Sequence, residues 1–135
     1  NRTEIVQTPR LTVMMDAYNA NPSSMEAAIR SIFDLNYGKR ALILGDMFEL
    51  GPESEALHAD LGRFVSQFKP HAVIWIGKAM KAAFDAATGL PQKWYETVEA
   101  AKPHIAEDLA GAEFVLLKGS RGMALERLKP EILPE

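Results

Sequence analysis

Leu11-Thr12-Val13-Met14-Met15-Asp16-Ala17-Tyr18-Asn19-Ala20-Asn21-Pro22 changes character twice within twelve residues. Leu11 to Met15 is a short apolar run that does not alternate with polar residues. Runs of this length fit a strand buried on both faces, as in a parallel sheet. Asp16 to Asn21 is small and polar, and Asn21 followed by Pro22 is a helix-start signal. Beyond it Met25, Ala28, Ile29, Ile32 and Phe33 recur at helical spacing. A strand, a polar loop and a helix in this order are the repeating unit of an α/β domain.

The same unit recurs outward along the chain. Ala41 to Leu44, Ala72 to Ile76 and Phe114 to Leu117 are further buried-strand candidates. Thr3 to Gln7 and Lys93 to Tyr95 are weaker ones. Leu57, Leu61, Phe64, Val65 and Phe68 form a second helical stripe, and Ala79, Met80, Ala83, Phe84 and Ala87 a third. Gly38 is read as the stop of the first helix and Gly89 as that of the third. Thr97 caps a fourth pattern through Val98, Ala101, Ile105 and Leu109, which Pro103 should kink or delay. A fifth helix is expected over about Met123 to Leu128, stopping at Pro130. The fold class expected is α/β, a Rossmann-like three-layer domain. Its mainly parallel sheet has about six strands, flanked by helices.

Each strong strand candidate ends in polar residues or glycine. In an open parallel sheet those carboxyl ends share one edge, where ligands bind. Asp16, Asn19, Asn21, Asp46, Glu49, Lys118, Ser120 and Arg121 should therefore meet at one rim. Asn21 is a cap or a ligand on this reading, and Gly45-Asp46 and Gly51-Pro52 are loop punctuation or part of a site. Lys118-Gly119-Ser120-Arg121-Gly122 has the marks of an anion loop. It holds two cations, two glycines for close backbone approach and an expected helix start. His58 is read as an exposed or half-buried helix residue, His71 and His104 as surface positions, and Trp75 and Trp94 as packing residues.

Composition narrows the function classes. The 135 residues suffice for one domain with a proper core. A net charge of −3 gives no basic footing for nucleic acid. No apolar run approaches the roughly 20 residues of a membrane helix, and no signal-peptide pattern is present. With no cysteine there is no thiolate nucleophile or thiolate metal site, and the three histidines lack metal-ligand spacing. There is no G-x-x-x-x-G-K-[ST] loop, no G-x-G-x-x-G and no G-x-S-x-G. The expectation is part of a site on one domain of a longer, cytoplasmic protein. No catalytic set is complete and no metal site is expected in this chain.

Three motifs carry a resemblance. Asp16-Ala17-Tyr18-Asn19-Ala20-Asn21-Pro22-Ser23-Ser24-Met25 is the longest. Leu44-Gly45-Asp46-Met47-Phe48-Glu49-Leu50-Gly51, with His58 seven residues on, is the second. Lys118-Gly119-Ser120-Arg121, with Met123 and Glu126, is the third. In this order, with Asn1-Arg2-Thr3 at the start, they resemble the C-terminal domain of the Mur ligase family. Asn19 and Asn21 favour the branch that adds D-alanyl-D-alanine. Other Mur ligases and the folylpolyglutamate synthases carry histidine-containing versions of the first motif.

The resemblance implies an ATP-dependent ligase that joins D-alanyl-D-alanine to UDP-N-acetylmuramoyl-tripeptide through an acyl phosphate. ATP and Mg2+ would be held mainly by a central domain, and this domain would swing in to close the site. Residues 1–10 would be interdomain linker and first strand, and residues 11–135 the C-terminal domain. Asp16, Tyr18, Asn19 and Asn21 would face the nucleotide. Asp46, Glu49, Lys118, Gly119, Ser120 and Arg121 would face the substrate. Lys118 and Arg121 have the charge for the dipeptide carboxylate or for phosphate, and Glu49 or Asp46 for the attacking ammonium. Two other readings stay open: a folylpolyglutamate synthase domain, and a stand-alone small-molecule-binding module.

Overall fold

The computed structural model describes residues 3–36 and 38–133. Asn1 and Arg2, part of the expected linker, lie outside the described residues. Six strands form one sheet: β1 (Glu4–Gln7), β2 (Thr12–Asp16), β3 (Arg40–Gly45), β4 (Ala72–Ile76), β5 (Gln92–Tyr95) and β6 (Phe114–Lys118). Their order across the sheet is β1-β2-β6-β3-β4-β5. Only the β1–β2 pair is antiparallel, and the other four pairings are parallel.

The chain steps from β2 to β3, β4 and β5 in one direction, then returns to insert β6 between β2 and β3. A parallel crossover is right-handed, so its direction of travel sets the face on which its helix lies. The outward helices are α1 (Pro22–Phe33), α2 (Ser54–Val65) and α3 (Met80–Ala86). They bury Met25, Ile29, Ile32, Leu61, Phe64, Val65, Met80 and Ala83 against Leu42, Leu44, Val73, Trp75 and Leu116. The return supplies α4 (Val98–Ala101), α5 (Ile105–Asp108) and, after β6, α6 (Lys129–Ile132). Val98, Ala101, Ile105, Leu128 and Ile132 pack on Val13, Ile43, Ile74, Val115 and Leu117 of the other face. Successive residues of each central strand feed opposite cores, which is why these runs are unbroken rather than alternating.

Local signals set most boundaries. Asn21 Oδ1 accepts the Ser24 N–H at 2.9 Å while Ser24 Oγ accepts the Asn21 N–H at 3.0 Å, a reciprocal cap with Pro22 in the first turn. Thr97 caps α4 at the Ala100 N–H. Pro103 divides the expected fourth helix, leaving a 3-10 turn over Lys102–His104 between α4 and α5.

Three expectations are corrected. The first helix ends at Phe33 rather than at Gly38. Arg40, reaching back from β3, donates to the Ile32 and Phe33 carbonyls at 3.2 Å and also to that of Leu35. Phe68 lies beyond the end of α2, though its ring still stacks on Phe33 at 4.9 Å. No helix spans Met123 to Leu128. Two 3-10 turns, Arg121–Met123 and Leu125–Leu128, are separated by Ala124 at φ 54. Pro130 sits in the first turn of α6 and so starts a helix instead of stopping one.

Candidate functional site

Because β6 returns between β2 and β3, the loop after it lies between the loops that follow those two strands. The three polar segments, remote in sequence, become neighbours. Asp16 and Lys118 are Cα partners in the β2–β6 register, and Leu44 and Lys118 in the β3–β6 register.

Lys118 is buried, at 2% exposure. Its Nζ donates to Asp16 Oδ2 at 2.6 Å and to the Asn19 carbonyl at 3.1 Å. Asp16 stays a quarter exposed, so the pair has one buried and one wetted end. Asn19 Oδ1 accepts the Ala20 N–H, and Asn21 is occupied as the α1 cap. The first loop is thus tied to β6 by an ion pair and closed on itself by side chains.

The second loop is tied to the third. The Ser120 N–H donates to the Asp46 carbonyl at 3.0 Å, and the Phe48 N–H donates to Ser120 Oγ at 2.8 Å. Asp46 turns its carboxylate to the start of α3, accepting the Met80 N–H at 2.9 Å and the Ala79 N–H at 3.3 Å. Burial raises its pKa above the ordinary 3.8, although those two N–H groups pull the other way. Glu49 is exposed, has no hydrogen bond or ion pair among the described residues, and holds φ 63. A non-glycine residue in that conformation stores strain of order 1 kcal/mol, and such residues cluster at functional sites.

The two glycines of the third loop are closely packed on the Cβ side. A Cβ on Gly119 would lie 3.0 Å from Gly45 Cα and 2.9 Å from Leu125 Cδ1, and one on Gly122 would meet Phe48 at 2.6 Å. The helix start expected there is a single 3-10 turn whose Met123 and Ala124 N–H groups bond back to Ser120 and Arg121. The exposed cation of the rim is Arg121. Its guanidinium lies over the Tyr18 ring, 5.1 Å from the centroid, and among the described residues no carboxylate pairs with it. Arg121 and Tyr18 border a shallow groove with Glu4, Met15, Ala17 and Glu126. A roomier hollow opens at the amino ends of the strands, among Thr8–Leu11, Gly111–Glu113 and Ile132–Leu133. It gathers none of the rim residues.

The rim therefore brings together Asp16, Tyr18, Asn19, Asn21, Asp46, Glu49, Lys118, Gly119, Ser120 and Arg121. Most are engaged with one another, and Arg121 and Glu49 are left as open charges of opposite sign. Among the described residues no group of three or more His, Asp or Glu side chains could hold a metal.

The histidine reading is corrected. His58 is fully buried: Nε2 accepts the Met47 N–H at 3.0 Å, and Nδ1–H donates to the Ser54 carbonyl at 2.7 Å. The signal that would have found it is positional. His58 precedes the buried Leu61, Gly62 and Val65 by three, four and seven residues, on the inward face of α2. His104 is exposed and stacks on Tyr95, and His71, half-buried, bonds to the Ala110 carbonyl. Trp75 is buried as expected, and the Trp94 indole donates to the Gly77 carbonyl.

Comparison with known proteins gives a consistent picture. The family model of the Mur ligase, glutamate ligase domain matches residues 1–121. The chain is 35% identical to the UDP-N-acetylmuramoyl-tripeptide--D-alanyl-D-alanine ligase of Bacillus subtilis, over 98% of this chain and 30% of that protein. A crystal structure of MurF from Acinetobacter baumannii superposes with a TM-score of 0.88 at 30% identity, over 99% of this chain and 30% of that one. MurF from Thermotoga maritima, solved in complex with ADP, superposes at 0.76 with 22% identity, a likeness of fold alone. The chain spans about 30% of the length of these relatives.

Proposed function

This chain belongs to the Mur ligase family as a glutamate ligase domain, and from that premise we propose that it is the C-terminal, substrate-closing domain of an ATP-dependent ligase joining D-alanyl-D-alanine to UDP-N-acetylmuramoyl-tripeptide. In that reaction ATP transfers its terminal phosphoryl group to the tripeptide carboxylate, leaving ADP. The dipeptide amine then displaces phosphate to form the amide and releases a proton. The proposal covers residues 11–135 as the domain and 1–10 as linker and first strand, in a cytoplasmic, monomeric enzyme.

One observation carries this reading. Among the rim residues, Lys118 is paired with Asp16 and the Asp46 carboxylate is held by the Ala79 and Met80 N–H groups, while Arg121 and Glu49 are exposed, of opposite sign and in no ion pair among the described residues. A zwitterion with a carboxylate at one end and an amine at the other is complementary to such a pair. Arg121, braced on the Tyr18 face, is suited to grip the carboxylate. Glu49 is suited to orient the ammonium and take up its proton. Gly119 and Ser120 fix the loop that carries Arg121, and Lys118 acts through Asp16, which with Tyr18, Asn19 and Asn21 is proposed to face the nucleotide. Holding the amine in line with the acyl carbon contributes several orders of magnitude in rate, and closing the rim excludes water. Magnesium and the phosphate loop are assigned to the central domain on the family resemblance.

The test is ligation by the longer protein with UDP-N-acetylmuramoyl-tripeptide, ATP and Mg2+. D-alanyl-D-alanine should be consumed and glutamate refused, while the 135-residue chain alone should give no turnover. Glutamate accepted in place of the dipeptide would move the chain to a folylpolyglutamate-type ligase.

A further inference from the structure

His58 is buried, polar and touches none of the open charges on the rim. An imidazole at 0% exposure is an unfavourable choice for a helix face that Leu or Met would fill, because burying its nitrogens is costly unless both are bonded. Both are. A carbonyl can only accept and a backbone N–H can only donate, so the Ser54 carbonyl and the Met47 N–H fix the ring as the Nδ1–H tautomer with its Nε2 lone pair on Met47. One of these bonds stays within α2, while the other leaves the helix and holds the segment just past the end of β3.

That segment is anchored at three consecutive residues. The Asp46 carbonyl takes the Ser120 N–H, the Met47 N–H goes to His58, and the Phe48 N–H goes to Ser120 Oγ. Glu49, next in line, holds its left-handed φ of 63. A β-strand that has lost its ladder has nothing local to keep such a conformation, and the three anchors supply what the ladder no longer does. Of these three backbone anchors, His58 is the one that comes from a helix rather than from another loop, beside the separate hold of the Asp46 carboxylate on the start of α3.

We propose that His58 is a positioning residue: through Met47 it sets the Phe48–Glu49 turn, and through the Phe48–Ser120 bond the Arg121 loop, in the geometry that receives the amine-bearing substrate. The inference rests on the ligase reading for its substrate, and on the hydrogen-bond geometry for everything else.

Two conservative variants divide the two bonds. His58→Asn keeps an amide N–H near the Nδ1 position, bonding Ser54, and loses the acceptor for Met47. His58→Gln places an amide oxygen near the Nε2 position and keeps that acceptor. In this chain, nitrogen NMR should identify the wild-type ring as the Nδ1–H tautomer. Amide exchange at Met47, Phe48 and Ser120 should quicken by about tenfold in His58→Asn, as expected for the loss of one buried hydrogen bond. The β3 and β4 amides should stay protected, and His58→Gln should restore the slow exchange. In the longer ligase, His58→Asn should raise KM for D-alanyl-D-alanine by about tenfold with little change in KM for ATP, and His58→Gln should recover most of the loss.

The inference is overturned if Ser120 exchange is unmoved in His58→Asn, if protection falls evenly across the domain, or if Asn and Gln are equally impaired. A wild-type ligase that refuses D-alanyl-D-alanine defeats the proposed function, and the exchange measurements then still decide the role of His58. A wild type that ligates with a dipeptide KM unmoved by His58→Asn defeats this inference alone.

Discussion

Lys118 Nζ and Asp16 Oδ2 lie 2.6 Å apart, joining neighbouring strands whose residues are separated by 102 positions in the chain. The lysine end is buried and the aspartate end a quarter exposed. Removing one member of such a pair strands the other, and the penalty depends on whether water can reach what is left. Asp16→Ala leaves an ammonium in the interior with one carbonyl for company and should cost about 3 kcal/mol of stability. Lys118→Met keeps the stem's packing and leaves a carboxylate that water can reach, so about 1 kcal/mol is expected. Urea denaturation of the two variants tests the asymmetry, and Lys118→Met proving the more damaging would contradict it.

Arg121→Ala in the longer ligase should reduce kcat/KM for the dipeptide by at least about a hundredfold, the scale of a lost charge-assisted contact made in the transition state. The unfolding midpoint should move by less than the equivalent of about 0.5 kcal/mol, since the side chain is exposed. Arg121→Lys should not recover the activity, because an ammonium provides neither the planar fork nor the stacking on Tyr18. Full activity in either variant removes Arg121 from the site.

Asp46 gives the domain a pH dependence of known sign. Burial holds its folded pKa above the ordinary 3.8. The folded state therefore binds this proton more tightly than the unfolded state does. Its contribution to stability is fully present below the ordinary value and is lost as pH rises through the raised one. Asp46→Asn keeps an oxygen for the Met80 N–H and removes the charge. Relative to wild type it should gain stability as pH is raised from about 3 to 7 and be no less stable at neutrality. Denaturation across that range is the measurement, and a difference that shrinks with rising pH would reverse the assignment.

Gly62 on α2 faces the backbone of α3 so closely that a Cβ there would lie 2.1 Å from the Ala83 carbonyl oxygen. Backbone cannot rotate aside as a side chain can. Gly62→Ala should push the two helices apart and cost about 2 to 3 kcal/mol. Gly51 is an instructive control: nothing lies within 4 Å of a Cβ there, and its φ of 71 leaves only the left-handed strain. Gly51→Ala should cost about 1 kcal/mol. Thermal melts of the pair separate the two causes, and equal midpoints would rule out the steric account of Gly62.

The sheet was legible because its central strands are covered on both sides. Ala72–Ile76 and Phe114–Lys118 read as unbroken apolar runs for the same reason that they are buried. Asn21 and Thr97 were legible because a helix cap is a local matter. What local reading missed was decided by partners remote in sequence. Phe33 ends α1 because Arg40 takes its last carbonyls. The Lys118–Asp16 ion pair depends on the pairing of β6 with β2, which no local reading supplies. The packing of Gly119 against Gly45 and Leu125 depends on partners that no local reading supplies. His58 was hidden by weighting Leu57, which is half-buried, above the residue next to it.

The central position of β6 carries a consequence for biosynthesis. Until residues 114–118 leave the ribosome, β2 and β3 each present an open backbone edge to the other contents of the cell. Those edges are sealed last, by long-range contacts that form slowly. The nascent domain therefore cannot acquire a partial binding face early. The strand that completes the sheet also brings in the Lys118–Arg121 loop, so a chain stopped short of it is both unsealed and without its receiving edge.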